Sequence, residues 1–192
     1  MIKLLFPHPR LRYVVLGATF LFLLGISIYF QRAKEASRMP DFSLPIIINP
    51  PLPFITHLNL SDTQGSLSVL FFFGLDDCPT CLFEIEQWAS ARRESTTALF
   101  NLIGITYTTD VFQITEFCHE YGIDFPICLD ANKVVFKKIQ KELGKEYSYI
   151  PFKVILDRNA RIIDTEMSEK ETTIKEIKMK LVNYYKKGLD SK

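Results

Sequence analysis

Cys78-Pro79-Thr80-Cys81 follows the run Ser68-Val69-Leu70-Phe71-Phe72-Phe73 and opens an amphipathic stretch. A buried strand that delivers two cysteines to the first turn of a helix narrows the fold more than any other feature of this chain. Residues spaced three apart on a helix sit one turn apart, so the two sulfurs can bridge. The helix N-terminus offers unpaired N–H groups and a partial positive charge, which favour a thiolate on the first cysteine. Pro79 suits that first turn, where a missing N–H costs nothing. Cys78 is therefore expected to be the nucleophile. Cys81, one turn inward, is expected to be the resolving thiol that attacks a mixed disulfide. The bland alternative is a static disulfide or a buried dithiol.

Around this motif, strand and helix patterns alternate. Ser66–Phe73 reads as a buried strand. Cys78–Arg92 reads as a helix with Cys81, Leu82, Ile85, Trp88 and Ala89 on one stripe. Leu99–Tyr107 is a second strand, and Val111–Tyr121 a helix with Val111, Ile114, Cys118 and Tyr121 spaced by three and four. Gly122 ends that helix. Phe125–Leu129 is a short third strand. Asn132–Leu143 is a helix capped by Gly144, with Val135, Phe136, Ile139 and Leu143 inward. Phe152–Asp157 and Arg161–Asp164 form a hairpin around Arg158-Asn159-Ala160. Thr172–Tyr185 is a closing helix with Ile174, Ile177, Leu181 and Tyr184 or Tyr185 on one face. The proline-rich stretch Met39–Pro53 should be extended, contributing an edge strand at most. The order implies an α/β fold with a central mixed sheet flanked by helices.

The 192 residues suit one ordinary domain plus extra segments, and 47% hydrophobic content with 16 Phe and 8 Tyr supplies a sizeable core. A net charge of +1 argues against a nucleic-acid binder working through a broad basic surface. Tyr13 to Phe30 carries no charge over 18 residues, about the minimum for a spanning helix, and has tyrosines near both ends. Lys3, Arg10 and Arg12 precede it. Arg32, Lys34 and Arg38 follow, diluted by Glu35 and Asp41. The expected organisation is a cytoplasmic segment over residues 1–12, a transmembrane anchor over 13–30, a tether over 31–38 and a folded domain over 39–192. A cleaved signal peptide is the alternative, although no small-x-small cleavage site follows the run. Either way the domain is exported. Outside the cytoplasm a structural disulfide persists, so a working dithiol needs an electron source or sink.

Four stretches together resemble the thioredoxin fold. More narrowly, they resemble the membrane-anchored, exported TlpA- and ResA-like proteins of the redoxin, or alkyl hydroperoxide reductase and thiol-specific antioxidant, group. Met39-Pro40-Asp41-Phe42-Ser43-Leu44-Pro45 resembles the redoxin N-terminal signature. Cys78-Pro79-Thr80-Cys81 matches the redox motif in type and place. Tyr121-Gly122-Ile123-Asp124-Phe125-Pro126 with Leu129-Asp130 is similar to the family's Tyr-Gly-…-Phe-Pro-…-Asp segment, and Ile150-Pro151 to its cis-proline segment. The resemblance implies that Pro151 is cis and packs against the dithiol, and that the Ile150 main chain pairs with a bound peptide as an added strand. It also implies disulfide-containing exported proteins as clients and a transmembrane thiol carrier as electron donor. An ordinary edge-strand proline is the plainer account of Pro151. The chain departs from thioredoxin in having Phe72 where a buried aspartate stands, Asp77 for the tryptophan before the motif, and Pro-Thr between the cysteines.

Asp76 and Asp77 oppose the helix dipole at Cys78, so a raised Cys78 pKa and a more reducing couple are expected; otherwise they are solvated loop or cap residues. Cys118 and Cys128 lie in core-like patterns and read as buried fillers. A second disulfide, a relay to the active pair, or zinc held by Cys78, Cys81, Cys118 and Cys128 or His119 are the alternatives. His8, His57 and His119 share no motif and read as surface residues, and Trp88 reads as core. No cofactor is expected.

Two other functions compete with exchange. A thiol peroxidase needs Pro-x-x-x-Thr-x-x-Cys, but Leu75 and Phe71 stand three and seven residues before Cys78. A thioredoxin-like copper chaperone uses Cys-x-x-x-Cys and a distant histidine, and the motif here has a two-residue gap.

Overall fold

The computed structural model describes residues 38–48, 56–75, 78–94, 100–144, 146, 151–167 and 173–190. Seven strands form one mixed sheet in the order β2-β1-β5-β4-β3-β6-β7. In chain order the elements are β1 (Ser43–Ile48), β2 (His57–Asn59), a 3-10 turn (Leu60–Thr63), β3 (Leu67–Phe73) and α1 (Pro79–Glu94). β4 (Phe100–Thr106), α2 (Val111–Glu120), β5 (Ile127–Leu129) and α3 (Val134–Leu143) follow. β6 (Phe152–Leu156), β7 (Ile162–Met167) and α4 (Ile174–Asp190) complete the chain. This is the expected thioredoxin-like α/β arrangement.

β3, an interior strand beside the central β4, is buried over all seven residues. It pairs in parallel with β4 and antiparallel with β6. A strand covered on both faces reads as a continuous apolar run, which is why Leu67–Phe73 lacks alternation. Its side chains still separate by parity. Val69, Phe71 and Phe73 join one core cluster with residues of α1, α2 and α4, and Leu70 and Phe72 join the other with Val135 and Ile139 of α3. The sheet therefore has helices on both faces.

Three expectations need correction. β1 is not an edge strand: it lies between β2 and β5. It switches partners along its length. Ser43, Leu44 and Pro45 face β2, whereas Ile46 and Ile48 face β5. Pro45 lies ahead of the β5-paired half, so its missing N–H interrupts no β5 bond. Val111 is not on the inner stripe of α2 but 46% exposed; Ile114, Phe117 and Cys118 are the buried residues. β7 runs to Met167, beyond the expected end at Asp164, because its pairing with β6 continues to Phe152↔Met167.

The β6–β7 turn is built by Asp157, whose carboxylate accepts from the N–H groups of Asn159 and Arg161, with Ala160 at φ 56°. Asp130 does similar work at the head of α3, accepting from the N–H groups of Val134, Val135 and Phe136. That satisfies donors a helix start leaves unpaired. Arg38, placed in the tether, forms a bridge with Arg161. No helix among the described residues is long and apolar enough to cross a membrane, and the expected span 13–30 lies outside them.

Candidate functional site

β3 ends at Phe73 and α1 begins at Pro79, so the chain turns from sheet to helix within five residues. Cys78 is the residue immediately before the helix. It is joined to Cys81 by a disulfide with Cα atoms 5.2 Å apart. Cys78 is 8% exposed and Cys81 0%, so a partner's sulfur can reach only the first of the two. The Cys81 N–H donates to Cys78 Sγ at 3.1 Å and to the Cys78 carbonyl at 2.9 Å. That donor lies where charge develops when the bridge opens, the arrangement that favours a thiolate at a helix N-terminus. Pro79 and Thr80 are exposed on the first turn.

The other expected site residues distribute unevenly. Pro151 is buried just ahead of β6. The antiparallel register Phe72↔Phe152 puts it at the end of the sheet where β3 runs out toward Cys78. Ile150, Asp76 and Asp77 lie outside the described residues. Cys118 and Cys128 are free thiols and buried, as the core-filler reading expects. They belong to the clusters on opposite faces of the sheet, so neither a mutual disulfide nor a shared zinc set is formed. Burial pushes the Cys118 thiol up to about 11 and the Cys128 thiol to about 12, from an ordinary 9.0. His57 and His119 are exposed, and Trp88 is fully buried. Among the described residues there is no group of three or more metal-ligating side chains.

Three strand ends meet beside the motif. The Tyr107 ring, after β4, lies so close over Gly74 that a Cβ there would fall 2.5 Å from its Cζ. Lys133, before α3, stands over the same ring with its ammonium 3.8 Å from the centroid. The Leu75 N–H donates to Thr108 Oγ1 at 3.2 Å. A side chain at position 74 would therefore have to displace the Tyr107 ring.

The sequence reading missed a buried charge network on the same face. Lys153 Nζ lies 2.8 Å from Glu84 Oε2, with the two side chains 1% and 0% exposed. Lys153 also lies 3.6 Å from Glu166, which pairs with Lys180 at 3.0 Å and accepts from the Tyr184 hydroxyl. Burial pushes the Glu166 carboxyl up, but the Tyr184 hydrogen bond and the ammonium groups of Lys153 and Lys180 outweigh it and lower the pKa. Burial and then the Glu166 bond raise the Tyr184 phenol. The Lys153 ammonium is 5.8 Å from the Trp88 ring centroid and 5.9 Å from that of Phe71. Trp88 Nε1 is buried with no hydrogen-bond partner among the described residues. A signal was present: Glu84 falls on the Cys81–Ile85–Trp88 stripe, and Lys153 has the inward parity of Ile155.

Three solved structures with this arrangement share little sequence with the chain. A secreted thiol-disulfide isomerase from Corynebacterium glutamicum matches at TM-score 0.63 and 20% identity, covering 77% of this chain and 85% of its own. A secreted Mycobacterium tuberculosis disulfide oxidoreductase, described as homologous to E. coli DsbE, matches at TM-score 0.59 and 17% identity, covering 74% and 95%. A thioredoxin-family thiol:disulfide interchange protein from Chlorobium tepidum matches at TM-score 0.59 and 13% identity, covering 78% and 96%. At such identities the likeness establishes the fold. No curated protein matches the sequence. The AhpC/TSA family model matches residues 36–167, more than half of the chain and all of the Cys78–Cys81 site, and the protein belongs to that family.

Proposed function

We propose that this chain is a thiol–disulfide oxidoreductase acting on the disulfides of exported proteins, and that it works as a reductant. The observation that carries the proposal is the Cys78–Cys81 bridge at the β3–α1 junction, with its outer sulfur reachable, its inner sulfur enclosed and an N–H directed at the outer one. The three structures named above, two described as secreted, carry disulfide oxidoreductase, isomerase or interchange descriptions, which supports the reading.

In the reaction proposed, the Cys78 thiolate attacks a client disulfide and forms a mixed disulfide. Cys81 then attacks Cys78 Sγ, releasing the client as a dithiol and closing the bridge. A partner dithiol restores the reduced pair, and a transmembrane thiol carrier is the source proposed. Pro151, as a cis residue, and the Ile150 main chain would seat the client as an added strand. Residues 13–30 would anchor the chain in the membrane, with residues 1–12 cytoplasmic and 31–38 as tether. Asp76 and Asp77 would hold the couple toward the reducing side. The peroxidase alternative is disfavoured because Leu75 and Phe71 occupy the threonine and proline positions its pocket needs.

Equilibrating the full-length chain with a thiol redox buffer tests the proposal. A reversible two-electron couple near or below about −220 mV supports a reductant, and one near about −120 mV makes it a disulfide donor. The absence of a reversible couple removes exchange altogether. Cys81→Ser should accumulate a mixed disulfide with a client, whereas Cys78→Ser should form none.

A further inference from the structure

β3, β4 and β5 are parallel neighbours, and Thr106 of β4 lies level with Phe73 and with Leu129. The chain therefore leaves all three strands at one edge of the sheet, and from there enters α1, α2 and α3. Ligands of open α/β sheets bind beyond such carboxyl ends of strands. This edge carries Cys78, and it also collects apolar surface. Val111 and Phe112 open α2, Val134 opens α3, and Met167 ends β7 opposite Phe152; all four are exposed, Phe112 by 75%. Among the described residues the other large exposed apolar side chains are Met179 and Val182, both on α4. Apolar side chains exposed singly need no account, whereas a cluster marks an interaction site. A second observation falls at the same edge. Lys133 has φ 55° and ψ 34°, a left-handed backbone that glycine or asparagine adopts more easily, and its side chain makes no cap bond. Asp130 caps α3 instead. Strained residues of this kind gather at functional sites. The Lys133 ammonium stands 3.8 Å over the Tyr107 ring, which covers Gly74, four residues before Cys78. Two carboxylates at this edge are committed to helix N–H groups: Asp110 at Gln113, and Asp130 at Val134 and Val135.

We propose that this rim, formed by the starts of α2 and α3, is where a client polypeptide docks beside its disulfide, with Lys133 as a specificity-determining residue. An apolar client side chain lies against Phe112 and Val134, and a client carboxylate meets the Lys133 ammonium. The inference rests on the exchange function proposed above and gives that function a substrate class: disulfides flanked by an apolar and an acidic residue. The occupant follows from continuity with the dithiol, since a client disulfide that reaches Cys78 brings its flanking chain across this edge. It follows also from the charge that Lys133 places there. β6 lies on the other side of β3 from β4, so a strand added at Ile150 and Pro151 would hold one flank of the client and this rim the other.

The test uses reduced full-length protein and three disulfide-looped peptides that differ only beside their first cysteine: Leu-Glu, Leu-Lys and Ser-Glu. In each turnover the protein dithiol is oxidised to the Cys78–Cys81 disulfide and the peptide disulfide is reduced to two thiols, so released peptide dithiol gives the rate. Each rate is divided by that of dithiothreitol with the same peptide. Only ratios between peptides within one variant are compared, so a variant's own change in potential cancels. A wild type that reduces none of the peptides defeats the exchange function itself, which tells that failure apart from failure of this inference. Given turnover, wild type should favour Leu-Glu over Leu-Lys by about threefold or more, the scale of an exposed ion pair, and over Ser-Glu by a similar factor. Lys133→Glu should reverse the charge preference. Lys133→Gly, which also relieves the positive φ, should erase it and keep the preference for leucine. Phe112→Ser should do the opposite, erasing the leucine preference and keeping that for glutamate. A lysine retained only for its stacking on Tyr107 would move neither ratio. Wild type that reduces all three peptides alike, or a charge preference that survives Lys133→Gly, overturns the inference. Sedimentation that finds a wild-type dimer dissolved by Phe112→Ser also overturns it, because the rim then belongs to a second copy of the chain. If Lys133→Glu does not fold, Lys133→Gly decides.

Discussion

The two faces of the sheet are built from the same strands and packed by the same kinds of residue, yet only one carries chemistry. On the α1–α2–α4 face lie the disulfide, the Glu84–Lys153 pair and the orphaned Trp88 Nε1. On the α3 face Met39, Phe42, Leu70, Phe72, Phe152 and Val154 make an apolar cluster. Phe72, Phe136 and Phe152 contact one another there with ring centroids 5.7 to 5.9 Å apart. The difference teaches that the buried ion pair is placed in the layer that holds the reactive helix, while the opposite layer is stabilised mainly by buried apolar area, its buried Asp130 serving to cap α3.

Neighbouring residues on β6 offer the largest test of that division. Lys153→Ala should destabilise by about 3–5 kcal/mol, because it leaves the buried Glu84 without its cation. Phe152→Ala, on the opposite face, should cost about the same through lost area and a cavity. Denaturant titration should find the two alike, and only the first should move the redox couple. A redox shift from Phe152→Ala would break the comparison.

Tightness comes next. A Cβ on Gly104 would lie 2.5 Å from Ile127 Cδ1 and 3.0 Å from Phe73 Cε1, both on the reactive face. Gly104→Ala should cost about 1–3 kcal/mol by overpacking, measured in the same titration.

The two free thiols sample one face each. In the folded protein both stay protonated where the unfolded chain, with an ordinary value of 9.0, has lost the proton. Their contribution is therefore fully present below about pH 9. It is lost as pH rises toward about 11 for Cys118 and about 12 for Cys128. Urea midpoints between pH 8 and 11 should fall, and Cys128→Ala should make the fall shallower. The smallest effect is expected at Phe112, on the solvent side of α2 and 75% exposed: Phe112→Ser should change stability by less than about 0.5 kcal/mol.

Much of this layout was legible because its signals are local. The apolar run into Cys78 gave β3 and the start of α1, and glycines at 122 and 144, both at positive φ, marked real helix ends. What escaped depends on partners distant in sequence. Pro45 suggests an edge, and nothing local says that β1 changes neighbours at Ile46. Glu84 and Lys153 each look like an ordinary surface charge until the β3–β6 pairing brings β6 beneath α1, 69 positions away along the chain. Val111 has the right spacing for the α2 stripe, yet as the first residue of the helix it is left 46% exposed.

The placement of Cys118 and Cys128 on opposite sides of the sheet has a consequence for biogenesis. A newly made chain exposes four thiols, and four can pair completely in three ways. The native state uses one bridge between near neighbours and encloses the other two sulfurs apart from each other. Correct oxidation is then a race that sheet closure wins when Cys118 and Cys128 are sealed before an oxidant reaches them. Afterwards burial on opposite faces of the sheet keeps these two thiols from pairing with each other.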